Sequence, residues 1–323
     1  MRQLIGYAVS ALVMATVAYA FAPRSPAPLE PTTLHADRVQ INDMLLNGEQ
    51  LVAVGERGTI LSSHDNGLTW KEAALSPQRA ITLTGVAALN VRELVAVGHD
   101  GWMLRSEDGG ASWREVGYNA ELGEPLLGVW SADGQHVTAF GSYGKYLESA
   151  DAGRSWTARE INADGYHFNG MDGSRSGRQM LVGEQGLVMR SSDGGASWES
   201  LPAFYNGSLF GVARISDERW LAYGMRGHVF LSEDFGQHWQ QVALDSQNTF
   251  YGHVLLPGGN GVVLVGADSS LVHLDARGRV LDSTRRTGLG TLTSAAAPSQ
   301  RLVLVGGERG VFQGAGERLA AGH

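Results

Sequence analysis

The sequence predicts an all-β chain folded as a seven-bladed β-propeller, and three observations carry that reading. A unit of about forty residues recurs along the chain, glycine outnumbers proline 44 to 9, and the apolar runs are short and strand-like. The segment VGERGTILSSHDNGLTW, ending at Trp70, returns as VGHDGWMLRSEDGGASW, FGSYGKYLESADAGRSW, VGEQGLVMRSSDGGASW and YGMRGHVFLSEDFGQHW, ending at Trp113, Trp156, Trp198 and Trp239. Weaker copies, VGADSSLVHLDARG and VGGERGVFQGAG, extend the series, so that the opening glycine falls at Gly55, Gly98, Gly141, Gly183, Gly224, Gly266 and Gly306. The intervals of 43, 43, 42, 41, 42 and 40 residues match one four-stranded propeller blade, and the units lack the 3.6-residue periodicity of helical repeats. A closed assembly of this kind makes one domain of residues 34–323, although the length of 323 residues by itself would suggest two.

Each blade is justified element by element in the second unit. Strands are expected at residues 82–88, 94–98, 102–106 and 112–116, inner to outer, and the second, Leu94-Val95-Ala96-Val97, is apolar on both faces, as a strand sandwiched between blades must be. Between third and outer strands every complete unit carries S-x-D-x-G-x-x-W. The aspartates are Asp65, Asp108, Asp151, Asp193 and Asp234, and the tryptophans Trp70, Trp113, Trp156, Trp198 and Trp239. An aspartate there can accept hydrogen bonds from turn amides, glycine can take positive φ, and the tryptophan can fold back as an apolar plug. One aspartate per repeat is the mark of a structural element, so these are assigned to the fold and not to acid–base chemistry. Blades six and seven depart from the pattern: Asp275 and Gly278 keep a turn without a tryptophan, and Gly314 and Gly316 stand without the aspartate. Their regularity as four-stranded units is therefore open, and residues 29–36 are expected to complete blade seven from the N-terminal side.

The N-terminus differs in composition. Arg2 precedes an apolar run over residues 4–22, with Ala18 and Ala20 in an A-x-A frame, so residues 1–22 read as an export signal, either cleaved after Ala20 or kept as a membrane anchor. Pro23, Pro26, Pro28 and Pro31 make residues 23–33 an extended tether. The expected location is periplasmic or otherwise extracytoplasmic. A net charge of −8 lacks the basic field that nucleic-acid binding needs, and the absence of cysteine excludes disulfides and thiol catalysis. The ten histidines form no H-E-x-x-H motif, and no P-loop, G-x-S-x-G or EF-hand pattern is present, so no catalytic residue, metal site or cofactor is assigned and the chain reads as non-enzymatic.

The repeat motif is similar to the Asp box, or bacterial neuraminidase repeat. The whole unit, repeated about seven times behind an export signal over residues 34–316, resembles the seven-bladed photosystem II assembly and stability factor family. The resemblance implies a non-enzymatic scaffold that helps a membrane protein complex form. Relatives in heterotrophic bacteria, some encoded beside RND-type exporters, imply that the partner need not be photosynthetic.

Binding residues are expected on the face where the second-to-third turns and the interblade loops emerge. The turns read Glu56-Arg57, His99-Asp100, Ser142-Tyr143, Glu184-Gln185, Met225-Arg226, Ala267-Asp268 and Glu308-Arg309. They form a mixed ring in which Arg57, Arg226, Arg309 and Glu184 are the prominent charges. The three arginines are the residues that a sialidase-like carboxylate clamp would use, which keeps a glycan-binding or glycoside-hydrolysing propeller as the alternative. The interblade loops contribute Tyr118, Tyr166, His167, Phe168, Phe204, Tyr205, Phe250 and Tyr251, aromatic types that anchor protein interfaces, unless they simply begin the inner strands.

Overall fold

The computed structural model describes residues 2–20, 36, 38–119 and 123–314. The chain divides into two compact units, Met1–Leu34 and His35–His323. In the first, Arg2–Ala20 is a single α-helix. Among the described residues no helix is long and apolar enough to cross a membrane. The expected tether, and all of residues 29–36 but Ala36, lie outside the described residues.

Among the described residues the second unit contains seven sheets of consecutive antiparallel strands: five run inner, second, third and outer strand in chain order, one has a further parallel strand at its outer edge, and one shows three strands. The inner strands are Ile41–Asn47, Leu83–Ala88, Leu126–Trp130, Phe168–Gly173, Leu209–Arg214, Phe250–Leu255 and Leu292–Ser299. Each packs against the inner strands of both neighbours, and the seventh packs against the first, so the ring is closed. The second strands are the most buried, Leu94–Gly98 and Val262–Gly266 at every residue, because sheets cover both faces. Blade two matches its expected strands within a residue or two and gains a fifth, Ala74–Ser76, parallel to its outer strand Ser112–Gly117.

Blade six is a regular four-stranded unit, with an outer strand at Val280–Arg285, despite lacking the tryptophan. Asp275 still accepts the Arg277 and Arg279 amides at 2.8 and 2.9 Å, which shapes the turn without a plug. Blade seven has three strands among the described residues. Ala36 supplies it with one carbonyl, which accepts the Val311 amide at 3.1 Å.

The serine–aspartate turns repeat one geometry. In blade two Ser106 Oγ donates to Asp108 Oδ1 at 2.9 Å and accepts the Gly110 amide at 2.8 Å, while Asp108 accepts the Ser112 amide at 2.9 Å. Trp113 Nε1 then donates to Gly110 O at 3.0 Å. The tryptophans are not equivalent plugs. Trp113 is 2% exposed within the core of blades one and two, whereas Trp70, Trp156, Trp198 and Trp239 are half-buried.

Two devices between blades were not anticipated. Every inner strand carries a register irregularity after its first residue. At that bulge Asn42, Thr84, Asn169 and Thr293 reach the next blade, donating to the carbonyls of Leu83, Leu126, Leu209 and Ile41 at 2.6–2.9 Å. The residue that follows is Gly211 in blade five, where a Cβ would lie 2.1 Å from Tyr223 Oη, so the crowded axis admits no side chain there. Near the opposite rim, arginines clamp the following blade's turn. Arg105 donates to Ala152 O at 2.9 Å, Arg190 to Phe235 O at 3.0 Å, and Arg219 to Ala276 O at 3.0 Å. The Arg105 guanidinium is fully buried and also pairs with Glu93 and Glu107, which keeps its charge compensated.

Candidate functional site

The second-to-third turns are tight 3-10 turns whose middle residue is left-handed: Arg57, Asp100, Tyr143, Gln185, Arg226 and Asp268 have φ of 54–58°. This conformation holds each of these residues at the tip of its turn. The structure places Arg57, Arg226 and Arg309 on turns of blades one, five and seven, not on the strands around the axis. Glu184 is drawn into its own loop, since its Oε2 accepts the His167 amide at 3.0 Å and its Oε1 lies 3.6 Å from His167 Nδ1.

The aromatic candidates separate by burial. Phe168 and Phe250 are 0% exposed, so their assignment as docking anchors is corrected: each begins an inner strand and points into the core between blades. Tyr166 is half-buried in the core cluster of blades three and four. The His167 ring meets the Tyr143 ring edge-on at 4.8 Å. Tyr118 is exposed and carries the Arg79 guanidinium 3.8 Å above its ring. Tyr251 is exposed beside Phe210, with ring centroids 5.1 Å apart.

Phe204 and Tyr205 frame the main concavity of this face. Gln185, Phe204, Tyr205, Asn206, Met225, Arg226 and His228 line a cleft of about 820 Å³ between blades four and five. Phe204 stacks on Trp239 with centroids 5.0 Å apart, and Tyr205 lies against His228 at 4.7 Å and Phe230 at 5.3 Å. His228 Nδ1 is 3.0 Å from Met225 O, and burial pushes the Tyr205 phenol up. These contacts make the wall rigid, so the tyrosine serves packing as well as any ligand. Gln185, Asn206, Ser208, Arg226 and His228 are the polar residues at the cleft. Such a site can pair one guanidinium and several amide or carbonyl groups with a segment whose apolar part rests on the aromatic wall.

The axis holds a separate set that sequence reasoning missed. Burial pushes Asp43 and Asp172 up to about 6 and lowers His253 to about 4. Asp43 accepts the Val86 amide of blade two at 2.9 Å, and Asp172 accepts the Arg214 amide of blade five at 2.7 Å. Tyr223 Oη lies 2.7 Å from His253 Nδ1. These side chains tie inner strands together. Their signal in the sequence was slight: Asp43 stands where blades two to six have glycine and blade seven serine, and Asp172 where the other blades have alanine, leucine, valine or tryptophan. Among the described residues no group of three or more metal-ligating side chains converges.

Seven sheets, a repeated serine–aspartate turn and a closed ring define the chain as a seven-bladed β-propeller. Within that class it resembles the photosystem II assembly factor family: the model of "Photosynthesis system II assembly factor YCF48" matches residues 29–178. A solved structure of YCF48 bound to a D1 peptide superposes with a TM-score of 0.68 and 18% identity, over 85% of this chain and 91% of that one. YCF48 from Cyanidioschyzon merolae gives 0.67 and 16%, over 87% and 97%. The WD40 β-propeller domain of Doa1 gives 0.64 and 14%, over 90% and 98%, so these likenesses speak to the fold. Comparison with curated proteins finds no match.

Proposed function

We propose that this chain is a non-enzymatic assembly scaffold that docks, through the cleft between blades four and five, on a segment of a membrane protein complex. The observation that carries the reading is the cleft itself, a rigid aromatic wall of Phe204 and Tyr205 beside Arg226 and Asn206. A further point supports it: the similarity to YCF48, a protein solved with a peptide of D1 bound. In this reading the N-terminal helix directs export, the propeller works in the periplasm or its equivalent, and an RND-type exporter is the partner complex to test first.

The test is affinity purification of the full chain from its native membrane. The double variant Arg226→Glu with Asn206→Arg changes only residues at the cleft and spares the packed tyrosine. It should lose the co-purifying membrane complex while keeping the parent's thermal midpoint, because rim charges act on association more than on folding. Undiminished recovery of the complex would overturn the cleft as the docking site. Recovery of the chain in the cytoplasmic fraction would overturn the export part of the reading.

A further inference from the structure

The seam between blades three and four departs from every other seam in the ring. The residue paired with the end of the third strand is Leu51, Leu94, Val137, Trp220 or Val262 in five blades, but Gln179 in blade four. The next position along the second strand is Val52, Val95, Met180, Leu221 or Val263, but Thr138 in blade three. The first third-strand residue paired with the second strand is Ile60, Met103, Val188, Val229 or Leu271, but Tyr146 in blade three. Three polar substitutions thus meet in one seam. Elsewhere the turn glycines face mainly apolar side chains, Gly153 facing Val95, and Gly110 facing Val52 with Gln50 Nε2 beside it. A Cβ on Gly195 would instead meet Gln179 Oε1 at 3.0 Å and Tyr146 Oη at 3.5 Å.

This seam opens into a cavity of about 580 Å³ on the face opposite the docking cleft. Gln179 is 6% exposed, and its Oε1 is buried with no hydrogen-bond partner, which leaves an acceptor at this seam for a donor to meet. Trp130 forms an adjoining wall, and Gly173 makes room for it, since a Cβ there would lie 2.8 Å from the indole. The charges around the cavity are mixed and each is engaged: Arg159 bonds Glu148 at 2.9 Å, Arg175 donates to the Ala132 carbonyl at 3.0 Å, Asp133 lies 2.7 Å from His136 Nδ1, and Asp193 is consumed by its own turn. A site with a buried acceptor, hydroxyl groups, an aromatic wall and little net charge selects a neutral ligand that has both hydroxyl donors and an apolar face.

We propose that the seam between blades three and four is a binding site for a neutral saccharide, with Gln179 Oε1 accepting a sugar hydroxyl and Trp130 contacting the ring. The volume falls within the range of small-ligand sites. The site is separate from the docking cleft and stands or falls independently of it. Calorimetric titration of the full chain with maltose, cellobiose and N,N′-diacetylchitobiose, with trialanine as a peptide probe, tests it. At least one disaccharide should bind and quench tryptophan fluorescence, and Gln179→Leu should weaken that binding about tenfold or more. Leucine is what blades one and two already carry at this position, so the variant should fold and should still recover the membrane partner. If it does not fold, Thr138→Val applies the same test to the facing wall. Binding of none of the three disaccharides, equal binding by the variants, or binding of trialanine in their place would overturn the proposal.

Discussion

Blades two and seven solve the same problem with unequal means. Blade two has a complete serine–aspartate turn, a buried tryptophan, a fully buried arginine clamping blade three, and a fifth strand on its outer edge. Blade seven has three strands among the described residues and no such turn, yet its second strand, Leu302–Gly307, is buried at every residue but the first. Its inner strand is stitched to blade one by Thr293 Oγ1 donating to Ile41 O at 2.6 Å, and blade one's turn glycine, Gly67, rests on Leu304. The difference teaches that closing the ring and finishing a blade are separate jobs. Closure is done at the axis, where inner strands meet, and the turns finish the rim.

The largest expected effect tests the rim where it is most developed. Trp113→Ala should lower stability by about 3–5 kcal/mol, because the side chain is enclosed by the core of blades one and two and leaves a void on removal. Trp198→Ala should cost distinctly less, since the half-buried ring already borders solvent and its neighbours can relax. Chemical denaturation of both variants checks this. Equal losses would mean that the tryptophans are interchangeable plugs and that blade two is not special.

Why the two jobs differed in legibility follows from where each is encoded. The rim was readable because its chemistry is local: Ser106, Asp108, Gly110 and Trp113 lie within eight residues and recur in five copies. The blade count and strand order followed from the same repeat. The axis was not readable, because its partners are a blade apart: Asn42 with Leu83, Thr84 with Leu126, and Thr293 with Ile41 across the whole ring. A weak signal existed, asparagine or threonine as the second residue of four inner strands, but only the bulge turns that residue toward its neighbour. The candidate site was half legible for the same reason. Phe204, Tyr205 and Arg226 do converge on one cleft, whereas Phe168 and Phe250 looked identical in sequence and proved to be core. Alternation of faces decided that, and the loop-to-strand boundary could not be placed finely enough from sequence to tell which face each aromatic takes.

Intermediate in size is the closure bond itself. Thr293→Val keeps the volume but removes the hydroxyl, leaving the Ile41 carbonyl without its interblade donor, and should cost about 1–3 kcal/mol. Its location predicts more than its size. Hydrogen exchange should accelerate in the inner strands of blades one and seven and leave Ser112–Gly117 of blade two unchanged. Exchange that rose evenly around the ring would show that closure is shared by all seams and not concentrated at the axis of this one.

The smallest effect per site concerns acid, and it separates rim from axis by sign. Asp65, Asp193 and Asp234 are held down at about 2, Asp65 and Asp193 first of all by the side-chain hydroxyls of Thr69 and Ser197. A depressed carboxylate contributes stability that is present above its unfolded value near 4 and is lost as the pH falls toward 2. Being largely exposed, each turn contributes little on its own. At the axis Asp43 and Asp172 stand at about 6 through burial, so their contribution is greatest below about 4 and is lost as the pH rises through 6. His253, lowered to about 4 by burial, opposes them between 4 and 6.5, its contribution being complete only above that window. Below pH 4 the axis is therefore largely spent, and what still titrates are the depressed carboxylates, the turn aspartates among them with ion-paired groups such as Glu93 and Glu115. The thermal midpoint of the parent should fall between pH 4 and 2.5, and Asp193→Ala, lower at neutral pH, should fall less steeply and approach it. Parallel curves would place the acid sensitivity outside the turns, in ion-paired carboxylates such as Glu93 and Glu115, and blade seven, which lacks the turn, would then be no more acid-resistant than blade two.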